Sequence, residues 1–140
     1  LSLAEIIPAC GQRLSKLIRT GLREEELTLL QQAEELVYGN RGNPLLGWNE
    51  ETVRKACEEA GFSVRRSEIL SVTENRMVPK KTAEGWMDAG NPGSYGGALL
   101  KSAGGEKGKA LAEKAVSLLA DRELLWKRTY LFLQAENPFV

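Results

Sequence analysis

The amino-acid sequence predicts an α/β domain in which helices pack around a small mixed sheet of three strands. Strand-like apolar segments open the chain, recur near its middle and close it. The segments between them repeat apolar residues every three or four positions, as amphipathic helices do. The order strand, helices, strand, helices, strand is typical of α/β proteins. With 140 residues and 42% hydrophobic content, the chain is expected to form a single domain over 1–140.

Residues 1–7 form the first predicted strand, and Pro8 ends it because proline has no backbone N–H to donate to a sheet. Domains usually begin with polar residues, whereas this sequence opens inside an apolar strand, so we expect a fragment of a longer protein. Glu5 interrupts the strand near its end, where ligands collect in open α/β sheets. Glu5 is therefore a candidate functional residue, and a solvated surface position is the alternative.

Three helices are predicted before the second strand. The first covers residues 11–18 and the second runs from about residue 23 to residue 38. The apolar stripe of the second helix consists of Leu27, Leu30, Ala33, Leu36 and Val37. Residues 39–44 predict a turn. The third helix begins after the cap residue Asn49 and ends at Gly61. Its expected buried residues are Val53, Ala56, Cys57 and Ala60.

The second half of the chain predicts a strand, interrupted helices and a closing strand. The second strand runs from Phe62 to about Thr73, and residues 79–120 are helical with a turn at 90–93 and a break at 104–105. The final helix is expected to bury Leu111, Ala115, Leu118 and Leu119. In the last strand, residues 124–136, the run from Tyr130 to Leu133 is apolar on both faces. Cover on both faces is typical of an internal strand, so the last strand is expected to be central and the first two to run parallel.

The composition excludes several kinds of chemistry. The sequence has no histidine, which excludes histidine-based catalytic triads, histidine-ligated zinc and imidazole proton shuttles within this chain. The two cysteines, Cys10 and Cys57, form no CxxC pair and indicate a reducing, cytoplasmic setting. No apolar run approaches the roughly 20 residues that a membrane helix needs. We therefore expect no catalytic residue, no metal site and no membrane partner.

Other charged and glycine-rich segments are open to more than one interpretation. Residues 93–97 form a glycine-rich segment that could hold phosphate, although a turn feeding a helix is the commoner explanation. Adjacent glutamates such as Glu34 and Glu35 are expected on solvated helix faces. The 19 basic and 19 acidic residues cancel, yet local basic clusters near Trp86, Tyr95 and Trp126 leave nucleic-acid binding open. The alternative is that the tryptophans belong to the core.

Three segments together resemble the C-terminal half of a class I S-adenosylmethionine-dependent methyltransferase domain. Residues 3–8 resemble the strand after which such domains place a helix. Residues 48–62 are similar to the helix of these domains that ends in Ala-Gly-Phe and leads into a strand. Residues 126–136 resemble the closing strand that inserts antiparallel between its two predecessors. The resemblance implies half of a Rossmann-like methyltransferase fold.

Other residues resemble a more specific family. Gln12-Arg13-Leu14, residues 33–38, and Gly85-Trp86-Met87 followed by Ser94-Tyr95 resemble a methyltransferase-like domain fused behind a replication-associated recombination AAA+ ATPase. In the superfamily, the glycine-rich loop and the acidic strand end of the first half bind the methyl donor, and this sequence has neither. The resemblance thus implies that S-adenosylmethionine or ATP would bind only through regions upstream of this chain.

The resemblance implies a non-catalytic C-terminal segment that acts in assembly or partner contact within a DNA replication and recombination ATPase. The alternative is the substrate-lid half of an active methyltransferase, and a third hypothesis is a self-contained interaction module. The candidate substrate- or partner-binding residues are Glu5, Gln12, Arg13, Trp86, Ser94 and Tyr95. The expected partners are the rest of the parent chain and a second copy, because the strand 1–7 would leave an apolar edge unpaired.

Overall fold

The computed structural model describes residues 1–39 and 44–139, so the predicted turn at 39–44 falls mostly outside the described residues. The described chain is α/β, as predicted, with six α-helices and three strands. The elements are β1 (Ser2–Ile6), α1 (Leu14–Leu17), α2 (Glu24–Tyr38), α3 (Glu50–Glu59), β2 (Ser63–Met77), α4 (Lys80–Trp86), α5 (Tyr95–Ala103), α6 (Gly105–Leu119) and β3 (Glu123–Glu136). Helix α1 is shorter than the predicted 11–18, because residues 11–13 are not helical and a 3₁₀ turn, Arg19–Gly21, follows its end.

The three strands form one sheet in the order β1-β3-β2, which confirms that the last strand is central. Strand β3 runs antiparallel to β1, with Ser2 opposite Gln134 and Ile6 opposite Tyr130. Strand β2 is also antiparallel to β3, because Arg65 contacts Glu136 whereas Ser71, further along β2, contacts Thr129, further back along β3. The first two strands therefore run parallel to each other on either side of the last, as predicted. Because they do not pair with each other, every neighbouring pair is antiparallel, and the prediction of a mixed sheet is wrong.

Around residues 129–135 of β3, the described residues bury one face of the sheet and leave the other partly exposed. On β3, Thr129, Leu131, Leu133 and Ala135 are buried, whereas Phe132 between them is 39% exposed. The expectation that Tyr130–Leu133 is covered above and below is therefore wrong. A central strand needs only a hydrogen-bonded neighbour strand on each edge, and β1 and β2 are these neighbours. Its central position therefore does not require that both faces of the sheet be covered.

The chain divides into two compact units, each with its own core. In the described residues, the first, which we call the sheet unit, comprises residues 1–12, 44–73 and 127–139. The second, the helical unit, comprises residues 13–39 and 74–126. Strands β2 and β3 contribute residues to both units.

In the sheet unit, α3 packs on the covered face of the sheet. The side chain of Asn49 accepts a hydrogen bond from the Thr52 N–H at 3.0 Å and so caps the helix, as predicted. Gly61 has a φ of +86°, the left-handed conformation that ends the helix. The buried core consists of Ile7, Cys57, Leu131, Leu133 and Ala135. Cys57 is buried as expected, whereas the neighbouring Ala56 and Ala60 are exposed because a helix on a three-stranded sheet buries only a narrow stripe.

In the helical unit, α2 and the helices α4–α6 surround one core. Leu30 and Ala33 of α2 are fully buried, but Leu36 is 53% exposed, so the apolar stripe of α2 is narrower than predicted. Gly104, with a φ of +80°, separates α5 from α6 and confirms the predicted break. Of the predicted α6 residues, Leu111, Ala115 and Leu119 are buried.

Candidate functional site

The six candidate residues are distributed over both units. Glu5 and Gln12 belong to the sheet unit, and the other four belong to the helical unit. Glu5 is exposed and lies opposite Leu131 in the register of β1 and β3. The side-chain oxygen of Gln12 accepts a hydrogen bond from the Lys127 N–H at 2.9 Å. Gln12 therefore contributes to the local structure of the sheet unit.

The structure brings two of the candidates, Arg13 and Tyr95, together with Glu34 and Tyr38, and we call these four residues the tyrosine cluster. The guanidinium carbon of Arg13 lies 3.6 Å from the centre of the Tyr38 ring, within the range of a cation–π contact. The Tyr95 hydroxyl donates to the Tyr38 hydroxyl at 3.3 Å, and the two rings meet edge to face. The cluster thus joins α2, α5 and the residue before α1.

Glu34 anchors the start of α1. It is 4% exposed, accepts a hydrogen bond from the Ser15 N–H at 2.8 Å, and lies 3.9 Å from Nε of Arg13. Burial raises the pKa of Glu34, while hydrogen bonding to Ser15 and the charge of Arg13 oppose the rise. The expectation of a solvated face is therefore wrong for Glu34. Its position four residues after Leu30, on the buried stripe, was the sequence signal that indicated burial.

Tyr95 acts in the cluster as a protonated hydrogen-bond donor. Burial and the neighbouring Tyr38 raise the pKa of its phenol well above the usual value. A neutral phenol can donate a proton in a hydrogen bond but is a poor base. The arrangement of Tyr95, Tyr38 and Glu34 therefore suits the positioning of helices better than proton abstraction.

Trp86 packs against a second tryptophan in the helical unit. Its ring centre lies 5.8 Å from that of Trp126, which is 9% exposed. The guanidinium carbon of Arg76 lies 4.5 Å from the centre of the Trp126 ring and 5.6 Å from that of Trp86. Trp126 is therefore a core residue, which was the alternative interpretation of the tryptophans. Arg76 contacts the rings of both Trp86 and Trp126.

Ser94 caps α5. Its Oγ accepts a hydrogen bond from the Gly97 N–H at 3.0 Å and donates to backbone oxygens of the preceding turn. Gly96 and Gly97 are buried, and a side chain at either position would collide with the backbone oxygen of Met87 or Asn91. The space at the start of α5 is filled by the chain itself, so residues 93–97 form a turn feeding a helix.

Glu26 also has a structural role. Its carboxylate accepts a hydrogen bond from Nζ of Lys114 at 2.7 Å and another from the Arg23 N–H at 3.0 Å. The contact with Lys114, together with that of Arg23, lowers the pKa of Glu26 to about 2. Glu26 thereby connects α2 with α6.

The described residues hold neither a cluster of metal ligands nor a helix suited to the interior of a bilayer. Within 1–39 and 44–139, no three His, Cys, Asp or Glu residues are grouped as a metal ion would require. Over these ranges, none of the helices is both long enough and apolar enough to cross a membrane.

The face of the sheet opposite α3 carries exposed apolar side chains, and we call it the open face. It holds a shallow groove of about 740 Å³ whose lining includes Ala4, Phe132 and the Arg66–Glu68 ion pair. The register of β1 and β3 and their alternation place Ser2, Ala4 and Ile6 here, opposite Gln134, Phe132 and Tyr130. Its exposed apolar members include Ile6, Leu70 and Phe132. Exposed apolar patches of this kind mark interaction surfaces.

The open face borders the outer edge of β1, which pairs with no other strand in the described residues. Leu1 donates to and accepts from Ala135, and the Ile7 N–H donates to the Thr129 oxygen, so the odd-numbered residues of β1 pair with β3. The alternation of an antiparallel ladder therefore directs the N–H and C=O groups of Ser2, Ala4 and Ile6 away from β3. Because β1 is the first strand in the sheet order, these groups lie at the edge.

Comparison of the chain with protein-family models, with curated proteins and with solved structures finds no match.

Proposed function

We propose that this chain is a non-catalytic, methyltransferase-like C-terminal segment of a DNA replication and recombination AAA+ ATPase, in which it acts in assembly or partner contact. The observation that carries the proposal is the free edge of β1 beside the open face. Such an edge is a template for pairing with another strand. The partners are the rest of the parent chain and a second copy of this one, in a cytoplasmic setting.

The strand order supports the methyltransferase-like part of the proposal. The last strand lies between its two predecessors and is antiparallel to both. This is the placement that the resemblance of residues 126–136 implies.

The contacts of the candidate residues support a role without catalysis. Gln12 and Ser94 hydrogen-bond to backbone groups, and Arg13 and Tyr95 hold helices together in the tyrosine cluster. We interpret these contacts as structural, because each of them positions backbone groups or helices.

The edge geometry specifies how two copies would pair. Two β1 strands running antiparallel about a two-fold axis at Ala4 exchange hydrogen bonds between Ala4 and its symmetry mate, and between Ser2 and Ile6. The two sheets then form one sheet of six strands. The side chains of Ser2, Ala4 and Ile6 all lie on the open face, so the two open faces join.

A charged side chain at position 4 tests the pairing. The two-fold axis would place this charge opposite the same charge of the second copy, and the two would repel each other. Sedimentation of the wild-type chain should show a dimer at high concentration. We expect Ala4→Lys to raise the dimer dissociation constant at least about ten-fold. Ala56→Lys is the matched control, because Ala56 is also an exposed alanine of the sheet unit but lies on α3. A wild-type chain that stays monomeric at high concentration contradicts the proposal, as does an equal effect of both variants.

Titration with S-adenosylmethionine tests the absence of catalysis. The fluorescence of the three tryptophans should not change at micromolar donor concentration, because the chain lacks the donor-binding half of the resembling domains. Micromolar binding would favour the alternative, the substrate-lid half of an active methyltransferase. The gene sequence ahead of the codon for Leu1 tests the parentage, and we expect it to encode an AAA+ nucleotide-binding loop.

A further inference from the structure

A second surface feature, separate from the strand edge, lies in the helical unit. A groove of about 360 Å³ is lined by residues of α4, α5 and α6 and of the turn after α4, and we call it the acidic groove. Its apolar lining includes Met87, Leu100, Ala112 and Val116. Its charged lining consists of Glu84, Asp88, Lys109 and Glu113.

The walls of the acidic groove are set by close backbone contacts. A side chain at Gly96 would collide with the backbone of Met87 and Asp88, and one at Gly108 would lie 2.8 Å from the Leu99 oxygen. At these two glycines, no side chain separates the packed backbones, so none has to rearrange there on binding. The groove is therefore preformed, which lowers the cost of ordering on binding.

The groove exposes apolar surface directly after the buried first half of α5. Residues Tyr95–Leu99 are all buried, whereas the next residue, Leu100, is 41% exposed. Gly105 at the start of α6 also lines the groove, and a Cβ at this position would meet no neighbouring group within 4 Å, so open space lies beside it. A side chain from outside can fill this space and cover Leu100.

The charged side chains around the groove favour a positively charged binding partner. Three carboxylates face one ammonium group there, in a chain whose formal net charge is zero. Glu84 lies 3.9 Å from Nζ of Lys80, and both side chains are more than half exposed, so this pair offsets little of the negative field. The surplus carboxylates attract lysine or arginine side chains and repel acidic ones.

We propose that the acidic groove is a docking site for a partner protein's peptide segment, in which apolar side chains enter the groove and lysine or arginine residues flank them. The apolar side chains cover Leu100 and fill the space beside Gly105. The flanking cations pair with Glu84, Asp88 and Glu113. This interaction is independent of the β1 edge, so dimer formation and peptide docking can fail separately.

A synthetic amphipathic peptide of leucine and lysine tests the groove, with a peptide of leucine and glutamate in the same pattern as the control. Binding is followed by fluorescence anisotropy of the labelled peptide, and NMR shifts of the Leu100 methyls and the Gly105 amide locate it. We expect Gly105→Leu, which fills the groove, to weaken binding of the leucine–lysine peptide at least about ten-fold. Gly85→Leu is the matched control, because Gly85 also has open space beside it but does not line the groove.

A second variant keeps the test valid if Gly105→Leu fails to fold. Glu113→Lys changes an exposed side chain and should weaken binding about five-fold at low salt, with the difference shrinking as salt rises. The proposal is overturned if the leucine–glutamate peptide binds as tightly as the leucine–lysine peptide. It is also overturned if neither peptide binds, or if folded Gly105→Leu and Glu113→Lys bind like the wild type.

Discussion

The helical unit and the sheet unit differ in which apolar and polar side chains they bury. The helical unit buries leucines of four helices and encloses polar groups such as Glu34 among them. The sheet unit has a small core under one face of its sheet and leaves Leu70 and Phe132 exposed on the other. From this difference we expect the helical unit to contribute most of the stability, and we propose that the sheet unit uses its exposed face for partner contact.

The largest effect should come from the helical core. Leu99→Ala removes a side chain that is 0% exposed and should lower the free energy of unfolding by about 3 kcal/mol, as large-to-small changes in cores do. Leu100→Ala, at the next and exposed position of α5, should cost less than about 1 kcal/mol. Urea denaturation of both variants checks the contrast. Equal losses would show that the helical core does not extend to Leu99 as described.

The buried carboxylate should have the next largest effect. Glu34→Ala removes the acceptor of the Ser15 N–H and leaves Arg13 without its carboxylate, which should cost about 2 kcal/mol. Glu35→Ala changes the exposed neighbour and should stay within about 0.5 kcal/mol. Thermal unfolding of the pair measures the difference, and equal melting temperatures would rule out an anchoring role for Glu34.

The two glutamates of α2 should respond oppositely to pH. The pKa of Glu26 falls from 4.5 to about 2 on folding, so its contribution to stability is complete above pH 4.5 and is lost as pH falls toward 2. The pKa of Glu34 rises on folding, so its ionisation costs stability as pH increases through the raised value. Carboxyl NMR titration should show the two shifts, and Glu26→Gln should remove the loss at low pH. A common pKa for both groups would refute the assignment.

The smallest effect on stability is expected on the open face. Phe132→Ser should change the free energy of unfolding by less than about 1 kcal/mol, because the ring is already partly in water. Leu131→Ala, the covered neighbour on β3, should cost about 3 kcal/mol. Denaturant midpoints check this pair. A large loss for Phe132→Ser would indicate that the open face is covered within the folded chain.

More of the fold than of the candidate site could be predicted from the sequence. Local patterns predicted the cap at Asn49, the break at Gly104 and the central last strand, because each depends on residues close together in the chain or on one strand's character. The burial of Tyr130–Leu133 on both faces was predicted wrongly, because an apolar run does not determine whether helices pack on the second face of the sheet. The tyrosine cluster was only half predicted, since the contact of Arg13 with Tyr38 joins residues far apart in the sequence.

Amide hydrogen exchange along β1, measured at low and high protein concentration, tests the central claim most directly. At low concentration, the outward amides of Ser2, Ala4 and Ile6 should exchange much faster than the inward amides of Leu3 and Glu5. At high concentration, the outward amides should become protected as the edge pairs with a second copy. Outward amides that exchange equally fast at both concentrations would contradict the account.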